Sequence, residues 1–336
     1  MLLLRLFRLA LVGLYLCIHT VTAHAQSQQS SPPPQGTIRV SVDRVNVGVI
    51  VTDAQGRFVE GLHREDFQVL DNGTRQPLTD FVAVEQPAQV LLLIEAGPAV
   101  YLLEGGHLQA AYSLLNGLST GDRVAVVKYA DAPLAIIDFT LDKDAAAAAL
   151  GELRFNLGFG SLNLSSSLST VLDWLTKVNG KKTVVLLSTG VDTSPSNDWG
   201  VLLQQLKTSD VRILAMSLTG ELRSPQSNRK KKTSSDNPAP ASPQFDEADG
   251  LLKRIAEATG GRAYFPRSAK EFSAVYAEIA QLVRHEYSLA FAPAVHDGKI
   301  HSIEVRVSTA VSANASTPNY RVDHRQAYLA PPPDPE

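Results

Sequence analysis

Residues 90–100 read VLLLIEAGPAV: five apolar side chains in a row, then Glu95, then Gly97 and Pro98. An uninterrupted apolar run this short is the pattern of a strand covered on both faces, and Gly-Pro suits a tight turn out of it. Glu95 would then stand at the strand's carboxyl end. Similar runs follow at 123–130, 134–140, 182–189 and 211–218, with a shorter one at 262–265. Between them lie stretches of helical periodicity at 108–118, 144–153, 164–178, 199–208, 248–259 and 270–284. Apolar strands alternating with amphipathic helices predict an α/β fold, a doubly wound, mostly parallel sheet of Rossmann-like type over 88–285. In such a sheet the ligand crevice lies at the carboxyl ends of the strands, where the strand order reverses.

The flanks have another texture. Ile38, Val40 and Val42, then Val45, Val47, Val49 and Val51, alternate with polar residues, and DNG at 71–73 signals a hairpin. Residues 37–84 are read as a small β module with one turn at HREDF, 63–67, and 286–330 as a C-terminal β segment that packs against it. Residues 26–36, QSQQSSPPPQG, have linker composition, and 331–336 form a loose tail. Residues 221–247 are polar and proline-rich, with a basic run from Arg229 to Lys232, and are expected to be a disordered insertion loop.

The chain has 336 residues, 44% hydrophobic and 19% charged, with a formal net charge of −3. No basic surplus exists to replace phosphate counterions, which argues against a nucleic-acid binder. Arg5 and Arg8, the apolar run 9–18 and the small residues Ala23 and Ala25 form a signal-peptide pattern over 1–25, too short for a membrane span. Export to the periplasm or beyond is expected, with no membrane span after cleavage; retention of the segment as an anchor is the alternative. Cys17, the only cysteine, lies inside that segment, so the mature chain has no disulfide, thiol nucleophile or cysteine-based zinc site. The histidines show no HExxH grouping, GFGS at 158–161 lacks the Gly-Lys-Ser/Thr of a phosphate loop, and no G-x-S-x-G elbow occurs. None of these points to an enzyme.

The order of these blocks resembles a family. Residues 90–284 look like a von Willebrand factor type A domain, and VTDAQGRFVEGLHREDFQVLDNG (51–73) ahead of it, with YSLAFAP (287–293), DGKIHSIEVRV (297–307) and YRVDHRQAYLA (320–330) behind it, resemble the bacterial exported VWFA-related proteins. Ala327 stands where that family usually has glycine, and Phe291 where tyrosine is common. The resemblance implies a protein-interaction or adhesion module and a metal-ion-dependent adhesion site, built in the family from D-x-S-x-S, a threonine and a later aspartate. Those positions fall here on Glu95, Gly97 and Ala99, on Ser161 and on Thr189, with Asp192 three residues further on. One carboxylate and two hydroxyls are poor compensation for dehydrating Mg²⁺. A degenerate binding site is therefore expected, with no cofactor or structural metal and an unidentified protein partner in the cell envelope or outside; a weak Mg²⁺ site at Glu95, helped by Asp192, and a structural envelope scaffold without a ligand site are the alternatives.

Overall fold

The computed structural model describes residues 44–83, 86–97, 100, 106–153, 161–194, 199–223, 243–308 and 320–333. The expected signal segment, the linker, Ile38, Val40, Val42, Ala99 and the centre of the 221–247 segment lie outside the described residues.

The centre is a six-stranded sheet of β5 (Ala88–Glu95), β6 (Arg123–Tyr129), β7 (Pro133–Thr140), β8 (Lys181–Ser188), β9 (Val211–Ser217) and β10 (Ala263–Tyr264), in spatial order β10-β9-β8-β5-β6-β7. All neighbours are parallel except β6 and β7, which are antiparallel. The predicted doubly wound, mostly parallel α/β fold is the one observed. The unbroken apolar pattern of β5 has its reason in the two faces. Val90, Leu92 and Ile94 pack under α1 (Gly106–Gly117), α2 (Lys143–Gly151) and α7 (Ala269–Arg284). Leu91 and Leu93 pack under α3 (Leu164–Leu175), α4 (Trp199–Thr208) and α6 (Pro243–Ala258). Each fully buried leucine contributes about 1.5–3 kcal/mol against exposure, so the central strand cannot change register without losing both cores. Helix starts follow local chemistry: the Asp142 carboxylate accepts from the Asp144 and Ala145 amides, and the Ser268 hydroxyl accepts from Glu271 N–H.

The two flanking regions share two four-stranded sheets. One is β13-β1-β11-β4 and the other β14-β12-β2-β3, with β1 (Val45–Thr52), β2 (Phe67–Asp71), β3 (Thr74–Gln76) and β4 (Leu78–Val82) before the α/β layer and β11 (Tyr287–Phe291), β12 (Ile300–Val307), β13 (Arg321–His324) and β14 (Ala327–Leu329) after it. β1 pairs with both β11 and β13, and β2 with β12. Val47, Val49, Phe67, Tyr287, Phe291 and Val305 fill one core between the sheets. Ile50 points the other way, into the α/β core, which explains why the alternation of β1 turns continuously apolar at 49–51.

The DNG signal holds. Asn72 (φ 45°) and Gly73 (φ 81°) join β2 to β3, with Asp71 opposite Thr74, as a turn with two left-handed central residues requires. Gly73→Ala is expected to cost about 1–2 kcal/mol, read from the urea midpoint, because a Cβ is strained there.

The expectation of a disordered loop over 221–247 is corrected at both ends. Residues 219–223 form a short helix, α5 (Thr219–Arg223), and α6 begins at Pro243. Proline at a first helical position loses no hydrogen bond, so a Pro-rich stretch can open a helix. Arg223 ties the ends together, reaching Asp246 at 2.8 Å and Asp249 at 2.9 Å. Among the described residues no helix is long and apolar enough to cross a membrane.

Candidate functional site

β5 lies between β6 and β8, and the chain winds away in opposite directions on its two sides, so the crevice of this fold opens at the carboxyl ends of β5 and β8. Glu95, the last residue of β5, is fully buried there. The Thr189 amide donates to its Oε2 at 2.7 Å, the Thr189 hydroxyl lies 3.0 Å from Oε1 and 2.9 Å from Oε2, and the Ser188 and Tyr129 hydroxyls lie 3.1 and 3.2 Å from Oε2. Tyr129 and Ser188 also bond each other at 2.6 Å, and Gly190 N–H donates to Ser188 Oγ at 2.8 Å. Every member of this group ends a strand or begins the turn after one. The register places Tyr129 directly opposite Glu95.

Burial pushes the Glu95 pKa up; the Thr189 amide and the Thr189, Ser188 and Tyr129 hydroxyls oppose this by favouring the charged form, and the net shift is upward. Burial also raises the Tyr129 phenol well above its ordinary range, with the Glu95 charge adding to the effect. The Tyr129 hydroxyl is therefore a hydrogen-bonding group and not a proton source at neutral pH.

The other family-derived positions point elsewhere. Ser161 is exposed, and its hydroxyl donates to Asp131 at 2.6 Å. Asp192 accepts from the Ser165 amide at 3.0 Å, in the first turn of α3, and from the Ser194 amide at 2.9 Å, so it serves helix α3 and its own loop. Gly97 is buried beneath Leu162: a Cβ at Gly97 would lie 2.7 Å from Leu162 Cδ2 and 3.4 Å from Glu95 Oε1. Leu162 is held over this position by backbone and hydroxyl bonds to Thr193, and Asn163 N–H donates to Ala130 O at 2.8 Å. An apolar side chain thus stands where the crevice would open. Further along the sheet, Ser217 and Thr219 both donate to Asp249, at 2.7 and 2.9 Å, so the end of β9 satisfies itself in the same way.

The structure brings Glu95 and Thr189 together, leaves Ser161 and Asp192 on other partners, and adds Tyr129, Ser188 and Leu162, which sequence reasoning did not single out. Their only signal was position, as the ends of predicted strands and a leucine beside Ser161. These residues do not fit a Mg²⁺ ion, which wants six oxygen ligands at about 2.0–2.1 Å. Both Glu95 oxygens already accept protein hydrogen bonds, the Thr189 hydroxyl is spent on Glu95, and that of Ser161 on Asp131. Among the described residues no three His, Cys, Asp or Glu side chains converge as a metal site would need.

No protein-family model and no curated protein matches the chain. Solved structures similar to it include a von Willebrand factor type A from Catenulispora acidiphila, at 12% identity and a TM-score of 0.46 over 80% of this chain and 74% of that one. An aerotolerance-related membrane protein from Bacteroides fragilis, bearing multiple mutations to serines, is similar at 12% identity and a TM-score of 0.43, over 59% of this chain and 98% of that one. The manganese-loaded TRAP protein of Plasmodium vivax is similar at 15% identity and 0.43, over 75% and 98%. The first of these carries the family name that the sequence resembles; at such identities and scores the likeness says nothing of what this chain binds.

Proposed function

We propose that the protein is an exported, non-enzymatic protein-interaction module of von Willebrand A type, whose adhesion-site position is degenerate and works without a metal. The observation that carries this reading is the saturation of the Glu95 carboxylate by Tyr129, Ser188 and Thr189, where the family pattern would place metal ligands. The partner is a protein in the cell envelope or outside, met at the strand-end rim around Ser161 and Asp131. Residues 37–84 and 286–330 act as the β support on which the 88–285 unit is mounted.

Calorimetric titration of Mg²⁺, Mn²⁺ and Ca²⁺ into the purified protein tests the metal-free reading. The expected result is no saturable heat up to millimolar concentrations. A one-to-one isotherm of micromolar affinity, about −8 kcal/mol, that disappears in Glu95→Ala would sink it. Affinity capture from the envelope fraction then tests the interaction: a specific partner should be lost when the exposed Ser161 is replaced by arginine.

A scaffold without a ligand site is the second reading, supported by the interleaving of both flanks in one pair of sheets. It predicts that the same Ser161 variant leaves every captured protein unchanged.

A further inference from the structure

At the opposite end of the sheet from Glu95, about 20 Å down β8 at ~3.3 Å per residue, the strands begin over a cavity of about 450 Å³. The size is within the usual range for small-molecule sites, roughly 300–1,000 Å³. It lies between the amino ends of β8 and β9 and the start of β1 and β11, and Lys181, Lys182, Arg212 and Arg325 line it together with Asp210 and Glu286. Four cations face two acids, in a protein whose overall charge is −3. Arg44 also reaches the wall, but is paired with Asp80 outside.

Each acid has its cation. Lys182 holds Asp210 at 2.7 Å, while Arg212 at 2.7 Å and Lys181 at 3.7 Å share Glu286. Arg325 has no carboxylate within ion-pair distance among the described residues. Its Nη1 makes two long contacts, 3.4 Å each, to the Thr208 and Ser209 carbonyls at the end of α4, and its buried Nε has no hydrogen-bond partner. The carbonyl ends of helices attract cations and account for part of this arrangement. They supply no carboxylate for an arginine on the wall of an open cavity, and they leave its enclosed Nε unpaired, although buried polar atoms are ordinarily paired. Burial lowers the Arg325 pKa to about 10, against the opposing pull of the Asp210 charge beyond ion-pair distance, so it remains charged at neutral pH.

We propose that this cavity is a binding site for a phosphate-type dianion, free or carried as a monoester, with Arg325 as its principal contact. The two surplus positive charges match a dianion, and a guanidinium presents paired donors to a tetrahedral oxyanion better than it does to chloride. Asn179, exposed on the wall, and Lys182 complete the polar surround.

The test is calorimetric titration of the full chain with inorganic phosphate, glycerol 3-phosphate and acetate at constant ionic strength. Inorganic phosphate is expected to bind one-to-one, with affinity at least about tenfold weaker in Arg325→Gln, where a charged hydrogen-bond donor is lost, and partly kept in Arg325→Lys. Tighter binding of glycerol 3-phosphate than of phosphate assigns the ester as ligand; the reverse assigns the free ion. Asn179→Asp adds a negative charge on the exposed wall without touching an ion pair, so it should weaken binding severalfold at an unchanged thermal midpoint, and it decides the matter if Arg325→Gln does not fold. Absence of phosphate binding, acetate binding equal to phosphate, or full phosphate affinity in Asn179→Asp overturns the proposal.

Discussion

Arg212→Ala is expected to lower the stability of the protein by about 3 kcal/mol, because it strands a buried carboxylate. The Arg212 and Glu286 side chains are 7% and 5% exposed, and Arg212 Nη2 bonds both Glu286 Oε1 at 2.7 Å and the Gly48 carbonyl at 2.9 Å. Its Nη1 donates to the Gly260 carbonyl. One guanidinium therefore joins β9, β1, the start of β11 and the end of α6. The loss falls at the lower end of the usual 3–5 kcal/mol for a broken buried pair, since Lys181 stays at 3.7 Å from Glu286. For a chain of 336 residues the thermal midpoint should drop by about 4–5 °C, measured by circular dichroism. The double variant Arg212→Met with Glu286→Gln should recover part of it; additive losses would show that the two groups are not coupled. Gly48→Ala should be comparably harmful, because its Cβ would fall 1.8 Å from Glu286 Oε1. Burial pushes the Glu286 pKa up, but the charges and hydrogen bonds of Arg212 and Lys181 outweigh it and hold the carboxyl below its ordinary 4.5. Its contribution is thus fully present above pH 4.5 and is lost as pH falls through the lower native value.

Glu95→Ala should cost about 2–4 kcal/mol, whereas Glu95→Gln should cost less than about 1. Alanine leaves a void and removes the acceptor for the Thr189 amide and three hydroxyls. Glutamine can keep its oxygen at the Oε2 position, accepting from the Thr189 amide and the Ser188 and Tyr129 hydroxyls, while its amide N–H donates to the Thr189 hydroxyl, which rotates to accept. The pH dependence is opposite to that of Glu286. Since the native Glu95 carboxyl ionises above its ordinary 4.5, its contribution is fully present below pH 4.5 and declines as pH rises through the native value. The difference in urea midpoint between wild type and Glu95→Gln, followed from pH 4 to 8, should therefore shift in favour of the glutamine variant as pH rises. A difference independent of pH would mean that Glu95 is not desolvated in solution.

These two acids show why part of the molecule is readable in sequence. Glu95 announces itself: it closes a run of five apolar residues, and a lone carboxylate there marks a strand end. Glu286 and Arg212 do not, because a charge at the start of each of two strands 74 positions apart carries no sign that the two meet. Separations of 34 and 93 positions likewise hide Tyr129 and Ser188 from Glu95. Leu162 reads as an ordinary apolar residue until the loop bonds at Thr193 and Ala130 turn it over Gly97.

By itself the sequence determined the periodicities, and through them the identity and order of strands and helices, the α/β class, the DNG turn and the place of Glu95 at a strand end. These follow from neighbours a few residues apart, where spacing alone sets which face a side chain takes. Only the tertiary structure decided that the two flanks interleave in shared sheets, that Glu95 accepts hydrogen bonds from the ends of the strands on either side of it, and that Arg325 is left beside a cavity with an unpaired Nε. Strand pairing and burial are set by contacts between segments far apart in the chain, and whether a buried polar group is satisfied depends on what those segments bring to it.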